Sequence, residues 1–593
     1  MPSSLLVRAV FGALVVATVG AFFITQRLKS SNPVVRRVLF EPAAISPNGD
    51  GRADRARIDF KLRRTDDVTL SVLDDRGEEV RRLADDRLLR KGFRHVTWDG
   101  RTDEGRIAPD GPYRLRVSVR SEGRATTGSR SLRVDTTAPR PRVVAARPAT
   151  IVPGSAPSAG TARLRHSGGS GQVQISVYRT DLGPARAVDI FRADGPSRTA
   201  AWDGRVGRRA LAADGVYAFR IAARDAAGNL GTSPVPARAN AAPGSGVSVR
   251  YLRVAGPLEP VQAGRIARFA VGPKTRRFEW RLVRAGGRAP VREGRAAGRR
   301  LAFRIPRDTR TGLHLLRVAA AGRSATVPLA VRGRAPGRSR GRGRVLVVLP
   351  AITWQGVNPV DDDGDGFTDT LDRSDAVQAG RPFAHGAPPA GLLGEIVPAL
   401  RFLDRIRAPY ELTTDLALAR GRAPGIRGRT GVLFPGTERW LTERVDVALR
   451  LYVEAGGRVA SFGTDAFRRR VSARDALLTQ PSRPEVANVF GEKTSLSRIP
   501  PAPMVVGNDR LGLFAGTDRF IGLFSRFERS DGLVGGGRVL SAAGREPERP
   551  AFVAYRLRRG LVIRTGTPRW ASELGRSSEV ASVTRKIWAL LSR

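Results

Sequence analysis

The chain has 593 residues, enough for three to five domains at roughly one to two hundred residues each, so a single-core enzyme is not expected. Hydrophobic residues at 41% and charged residues at 26% are globular values, which exclude a wholly disordered chain and a polytopic membrane protein. There is no Cys and there are only four His (His95, His166, His314 and His385), which excludes a disulfide scaffold, thiolate metal sites, a Cys nucleophile and a multi-His centre. Any catalysis must use oxygen ligands, carboxylates or hydroxyls. The net charge is +47, yet only six of the 102 basic residues are Lys (Lys29, Lys61, Lys91, Lys274, Lys493, Lys586), leaving 96 Arg. The Arg are spread along the whole chain with no recognition helix, zinc finger or aromatic RNA-binding signature, so no specific nucleic-acid partner is expected. Adhesion to anionic cell-surface polymers or lipid headgroups accounts for the charge more simply.

Ala9 to Gln26 carry no charge and are flanked by Arg8 and by Arg27 and Lys29, a length that spans a bilayer. The apolar run continues through Phe22, Phe23 and Ile24, past the small residues Val19-Gly20-Ala21, which predicts an uncleaved transmembrane anchor over a cleaved signal. Residues 1–33 therefore read as N-terminal tail and membrane anchor. The expected location is the cell membrane, single-pass, with the bulk extracytoplasmic. The Lys/Arg balance does not itself set the orientation.

After the anchor, period-2 runs such as Ile58-Phe60-Leu62, Val68-Leu70-Val72 and Tyr113-Leu115-Val117 alternate with Gly/Pro/Asp turns, the pattern of antiparallel sandwiches. Trp98-Asp99-Gly100-Arg101, Ala108, Asp110-Gly111 and Tyr113 recur as Trp202-Asp203-Gly204-Arg205, Ala212, Asp214-Gly215 and Tyr217, all offset by 104 residues. Two copies of one β-domain follow, with Trp and Tyr as core aromatics. The stretch TWDGRTDEGRIAPDGPYRLRV, preceded by SPNGDG at Ser46 to Gly51, resembles the Ig-like domain of the flagellar hook-cap (FlgD) family, which implies tandem Ig-like all-β domains at 34–138 and 139–243. A third β-rich domain is expected over 247–332, with strands at Phe278-Trp280-Leu282 and Leu313-Leu315-Val318.

Residues 333–344 are Gly- and Arg-rich and read as a basic linker. Beyond it, over 345–593, the pattern changes. The apolar run Val345 to Leu349, helix-period segments at Leu392 to Ile406 and Leu441 to Ala455, and short strands at Tyr410 to Thr413, Val432 to Phe434 and Val459 to Phe462 predict a parallel α/β sheet covered on both faces. Gly456-Gly457 close the second helix, and a last amphipathic helix is expected over Ser578 to Leu591.

Within this domain, residues 361–372 place Asp361, Asp363, Asp365, Asp369 and Asp372 at loop positions 1, 3, 5, 9 and 12, with Gly366 at 6 and the carbonyl of Phe367 at 7. That is the spacing of an EF-hand-type calcium loop, because Ca²⁺ takes six to eight oxygens and the Gly permits the turn that points alternate side chains inward. Asn48, Asp50 and Asp54 around SPNGDG match the pattern only in part.

VLVVLPAITWQGVN (345–358), then Arg381-Pro382-Phe383, Pro435 to Trp440, Gly456-Gly457 and Gly566-Thr567-Pro568-Arg569-Trp570 come in the order of the large subunit of N,N-dimethylformamidase, and the β-rich stretch before them resembles that family's leading β-domain. The resemblance implies a glutamine-amidotransferase-like α/β core and an iron-dependent amide hydrolase whose metal is held by tyrosines and a glutamate. The departures fall at those donors. The family reads TWQAYN where this chain has Val357, and RPY where it has Phe383. It reads GHxEYW where ungapped matching gives Thr437 and Arg439, and a one-residue slip brings Glu438 to the Glu. Iron is therefore not expected. Two readings stand. One is a membrane-anchored surface protein whose Ig-like array carries a calcium-stabilised, non-catalytic head for binding or adhesion. The other is a hydrolase of non-peptide C–N amide bonds with a rearranged site among Asn358, His385, Glu438 and Asp465.

Overall fold

The computed structural model describes residues 3–29, 35–169, 171–207, 210–333, 344–535, 537–546 and 548–593. The expected basic linker lies, apart from its ends, outside them. The N-terminal helix Ser3–Lys29 contains the apolar segment Val7–Ile24, none of which is covered by the rest of the protein. An exposed segment of that length and composition suits a membrane anchor or a signal sequence.

Two sandwiches follow with the same strand order. In the first, the sheet Val35–Glu41, Ala56–Leu62, Gly92–Trp98 faces a sheet built on Asp66–Leu73 and Gly111–Val119. In the second, Arg142–Arg147, Ala162–Ser167, Thr199–Trp202 face a sheet built on Gln172–Arg179 and Gly215–Arg224. The alternation read in the sequence points inward as expected: Ile58, Phe60 and Leu62 are buried, as are Leu115 and Val117. The repeat extends to individual hydrogen bonds. Trp98 Nε1 donates to the Arg101 carbonyl at 2.8 Å and Trp202 Nε1 to that of Arg205 at 2.9 Å. Tyr113 and Tyr217 hydroxyls donate to the carbonyls of Pro109 and Ala213. Each Trp–Tyr pair is in ring contact, at 5.0 and 5.1 Å.

The copies diverge at their ends. In the first, Arg124–Thr127 reaches the last strand Leu132–Val134 through residues 128–131, whereas in the second, Leu230–Thr232 reaches Val247–Val249 through 233–246. Val247–Val249 pairs with Gly215–Tyr217 and, in parallel, with Thr150–Ile151. The second sandwich thus runs past residue 243, because the offset of 104 ends before its last strand. A third β unit, with Ile266–Arg284, Pro290–Arg304, Gly312–Ala320 and Arg323–Arg332 in one sheet, has its own core around Phe278, Leu282 and Leu316.

The C-terminal unit holds a nine-stranded sheet. Five strands are parallel, in the order Tyr410–Thr414, Val345–Leu349, Val432–Phe434, Arg458–Ser461, Gly560–Arg564. The continuous apolar run at 345–349 is explained by burial on both faces: Val345, Val347 and Leu349 enter one core with the helices Val397–Arg405 and Ser578–Ser592, while Leu346 and Val348 enter another with Glu443–Glu454. Gly456, at φ 104°, ends Glu443–Glu454, and the Gly457 amide returns to the Tyr452 carbonyl. Four antiparallel strands, Phe552–Leu557, Arg538–Gly544, Glu492–Asp509 and Phe520–Leu533, complete the sheet on one side.

Candidate metal centre

The acidic loop folds around its own backbone. Asp361 accepts the amides of Gly364 (2.7 Å) and Gly366 (3.1 Å), Asp363 that of Asp365 (3.0 Å), and Asp365 that of Phe367 (2.7 Å). Asp369 accepts the Asp362 amide at 2.7 Å and the Ser374 hydroxyl at 2.8 Å. These bonds turn one carboxylate oxygen each of Asp361, Asp363 and Asp369 to within 4.8 Å of one another. Oxygens bound to one Ca²⁺ at about 2.3–2.6 Å lie up to about 5 Å apart, so the three fit a single ion. Burial, reinforced by Asp365, pushes the Asp361 carboxyl up to about 7, and burial pushes Asp365 up to about 6. A cation would relieve both. Asp372, the expected closing ligand, is not in the cluster: its carboxylate meets Arg439 Nη1 at 2.8 Å.

A residue that spacing did not reveal fixes the loop's base. Arg381 is buried, pairs with Asp362 at 2.9 Å, and donates to the carbonyls of Gln355, Asn358, Val360 and Asp369. The loop's outer side docks on the second sandwich. The amides of Gly244 and Gly246 donate to the carbonyls of Asp363 (3.0 Å) and Gly364 (2.7 Å). Thr180 Oγ1 donates to the Gly366 carbonyl at 2.5 Å, and Arg238 reaches the Thr368 carbonyl and lies 3.5 Å from Asp369. Gly244, Gly246 and Arg238 all lie in the long 233–246 connection. At SPNGDG, Asn48, Asp50 and Asp54 cap amides of their own turn.

Each of the four candidate catalytic residues is engaged by its own neighbours. Asn358 spends its amide on the Pro382 carbonyl and the Ala384 amide. His385, at φ 58°, turns to the second sandwich, with Nδ1 3.1 Å from the Asp214 carbonyl and Nε2 3.4 Å from Asp181. Asp465 pairs with Arg439 at 3.2 Å and with Arg469. Glu438 is fully buried beside Asp415. Burial pushes both carboxyls up: Asp415 to about 6, against the pull of the Ile352 and Leu416 amides it accepts, and Glu438, next to Asp415, well above the usual range. The two buried carboxyls neighbour each other just beyond the C-terminal ends of parallel strands, where open α/β sheets build sites. Val357 and Phe383 are packed against the hydrocarbon core, and Arg439 bridges Asp372 and Asp465. A second buried group, also unforeseen, is Arg564 between Glu492 (2.6 Å) and Glu528 (3.4 Å).

With this geometry in hand, two protein families match parts of the chain. Residues 298–489 match the N,N-dimethylformamidase beta subunit-like C-terminal family, and residues 44–123 match the FlgD Ig-like domain family. No curated protein matches the chain. Among solved structures, the human OSCAR ligand-binding domain is 19% identical over 34% of this chain and 95% of that one, with a TM-score of 0.21. Titin domains I67–I69 (12% identity, 49% and 95% covered, TM-score 0.19) and Escherichia coli alpha-2-macroglobulin activated by porcine elastase (11%, 51% and 31%, 0.16) also match.

Proposed function

We propose that this is a membrane-anchored, extracytoplasmic binding protein. In this reading two Ig-like sandwiches carry an amidotransferase-like α/β head that has lost its relatives' iron site and is pinned to the second sandwich through a calcium loop. Its partners are the membrane, through the N-terminal helix, and anionic cell-surface polymers. The observation that carries the reading is the fate of the donor positions. Val357 and Phe383 offer hydrocarbon where the resemblance implies phenolates, and Arg439 brings a guanidinium held by two aspartates. A metal of that kind needs anionic oxygen donors. Calcium would be held by Asp361, Asp363 and Asp369, with Asp365 and the Phe367 carbonyl beside them, and its role there is structural. The exposed apolar face of Val7–Ile24 supports the anchor. Dimethylformamide turnover by the full chain, before and after iron loading, tests the reading, and the expected result is none in either case.

The amide-hydrolase reading is favoured by one observation, the buried pair of neighbouring carboxyls, Glu438 and Asp415, at the strand ends. It requires a substrate to reach a carboxyl that has 0% exposure.

A further inference from the structure

The third β unit and the α/β head meet across a groove of about 1290 Å³. Six of its 21 lining residues are arginines, Arg284, Arg307, Arg310, Arg344, Arg401 and Arg407, against 96 of 593 in the chain. Three carboxylates share the walls. Asp404 is held by Arg284 at 2.7 Å and by the Tyr410 hydroxyl at 3.2 Å, and Glu411 lies 3.9 Å from Arg332, which leaves Asp308. Among the described residues, Arg307, Arg310, Arg344, Arg401 and Arg407 make no salt bridge. In the adjoining cavity Arg281 and Arg295 are paired with Glu293 and Glu279, while Arg288 and Arg317 make no salt bridge among the described residues.

The wall is built to hold its guanidiniums. A Cβ at Gly286 would overlap the Arg401 side chain, and one at Gly312 would overlap Arg284, so both glycines make room for arginine. Thr309 Oγ1 is buried in the wall without a hydrogen-bond partner, a free donor or acceptor. His314, on the same wall, is kept neutral by burial, which pushes it down to about 4. The two aromatic rings in the lining, Tyr410 and His314, are both buried, so no aromatic ring there is open to stack on bases.

We infer that this groove binds a linear polyanion bearing carboxylate or phosphate groups, each taken by a guanidinium fork. Forked, charge-assisted hydrogen bonds are what arginine offers to planar carboxylates and to phosphates, and several unpaired forks lining one groove suit a repeating ligand better than a single ion. The inference gives a site to the binding role proposed above and rests on that reading.

The test measures binding of the full chain in non-ionic detergent to linear polyphosphate, polygalacturonate, neutral dextran and poly-dT at physiological salt. The intact chain should bind polyphosphate or polygalacturonate and not dextran, and the tighter of the two assigns phosphate or carboxylate. The groove triple Arg307→Ser, Arg401→Ser, Arg407→Ser should weaken binding roughly tenfold or more. The surface triple Arg87→Ser, Arg106→Ser, Arg130→Ser, with the same charge loss, should change it by less than about twofold. Should the serine triple unfold, the charge-keeping triple R307K, R401K and R407K replaces it and should still weaken binding through loss of the forks. Equal loss in groove and surface variants overturns the groove and leaves the binding role standing. Tighter binding of poly-dT overturns the ligand class. No polyanion binding by the intact chain overturns both the groove and the anionic partner.

Discussion

Gly366 shows how much one position carries. It has φ 88°, and a Cβ there would lie 2.9 Å from Ala218 Cβ and 3.0 Å from the Tyr217 carbonyl, so the residue that lets the acidic loop turn also lets it touch the second sandwich. Gly366→Ala should cost about 1–3 kcal/mol in thermal unfolding and expose the loop to protease. Burial makes the carboxyls of Asp361 and Asp365 hold their protons more tightly than free carboxyls do. Asp361 at about 7 and Asp365 at about 6 lie above their unfolded values, so in chelator they stabilise the fold when protonated and cease to as pH rises through those values. Calcium at the proposed site would have to displace those protons. The rise in melting temperature on adding calcium should therefore be largest near pH 8 and shrink as pH falls through about 7 to 6. His314 acts oppositely. Its folded value near 4 lies below the ordinary 6.5, so it contributes stability that is present above pH 6.5 and is lost as pH falls toward 4, at most about 3 kcal/mol. An acid titration of stability in His314→Gln should lack that component. The loop aspartates were legible because their spacing is local. Arg381, Asp415 and Arg564 were not, because each has a partner far away in sequence: Asp362 lies 19 residues from Arg381, Ile352 63 from Asp415 and Glu492 72 from Arg564.

At the scale of elements, period and burial agree where a strand or helix has clear faces. The Trp–Asp–Gly repeat and the parallel strand Val345–Leu349 could be read directly, since one is a fixed offset and the other a run buried on both sides. The four antiparallel strands of the head could not. Glu492–Asp509 contains Pro500-Pro501, its register with Phe520–Leu533 shifts between Arg498 and Ala502, and many of its residues are exposed, so neither a period of two nor an apolar run survives. The 233–246 connection was missed because it begins where the repeat offset ends. Replacing it by a four-residue link copied from 128–131 should leave the second sandwich folded and undock the acidic loop, read as faster proteolysis near residues 361–372. At the buried ion group, Arg564→Met would leave Glu492 and Glu528 unpaired inside the sheet. Such a change should destabilise the head by about 3–5 kcal/mol in denaturant titrations.

For the whole molecule, three β units and an α/β head follow an apolar helix, and the acidic loop joins the head to the second unit by backbone and side-chain bonds. Recognition of the two family domains was possible from motif order alone. The resemblance picked out Val357, Phe383 and Arg439 by identity, whereas their surroundings, a hydrocarbon core and two aspartates, are set by distant segments of the fold. The anchor is expected to keep the chain in the membrane fraction after alkaline extraction, and a mature N-terminus near Phe22 would contradict it. The most direct test of the proposed reading is the metal content of the full chain, purified in detergent and equilibrated with both calcium and ferrous iron. The expected result is calcium bound at one equivalent, lost in Asp361→Asn, with iron far below stoichiometry. One equivalent of iron with dimethylformamide turnover abolished by Glu438→Ala would contradict it and establish the head as a hydrolase.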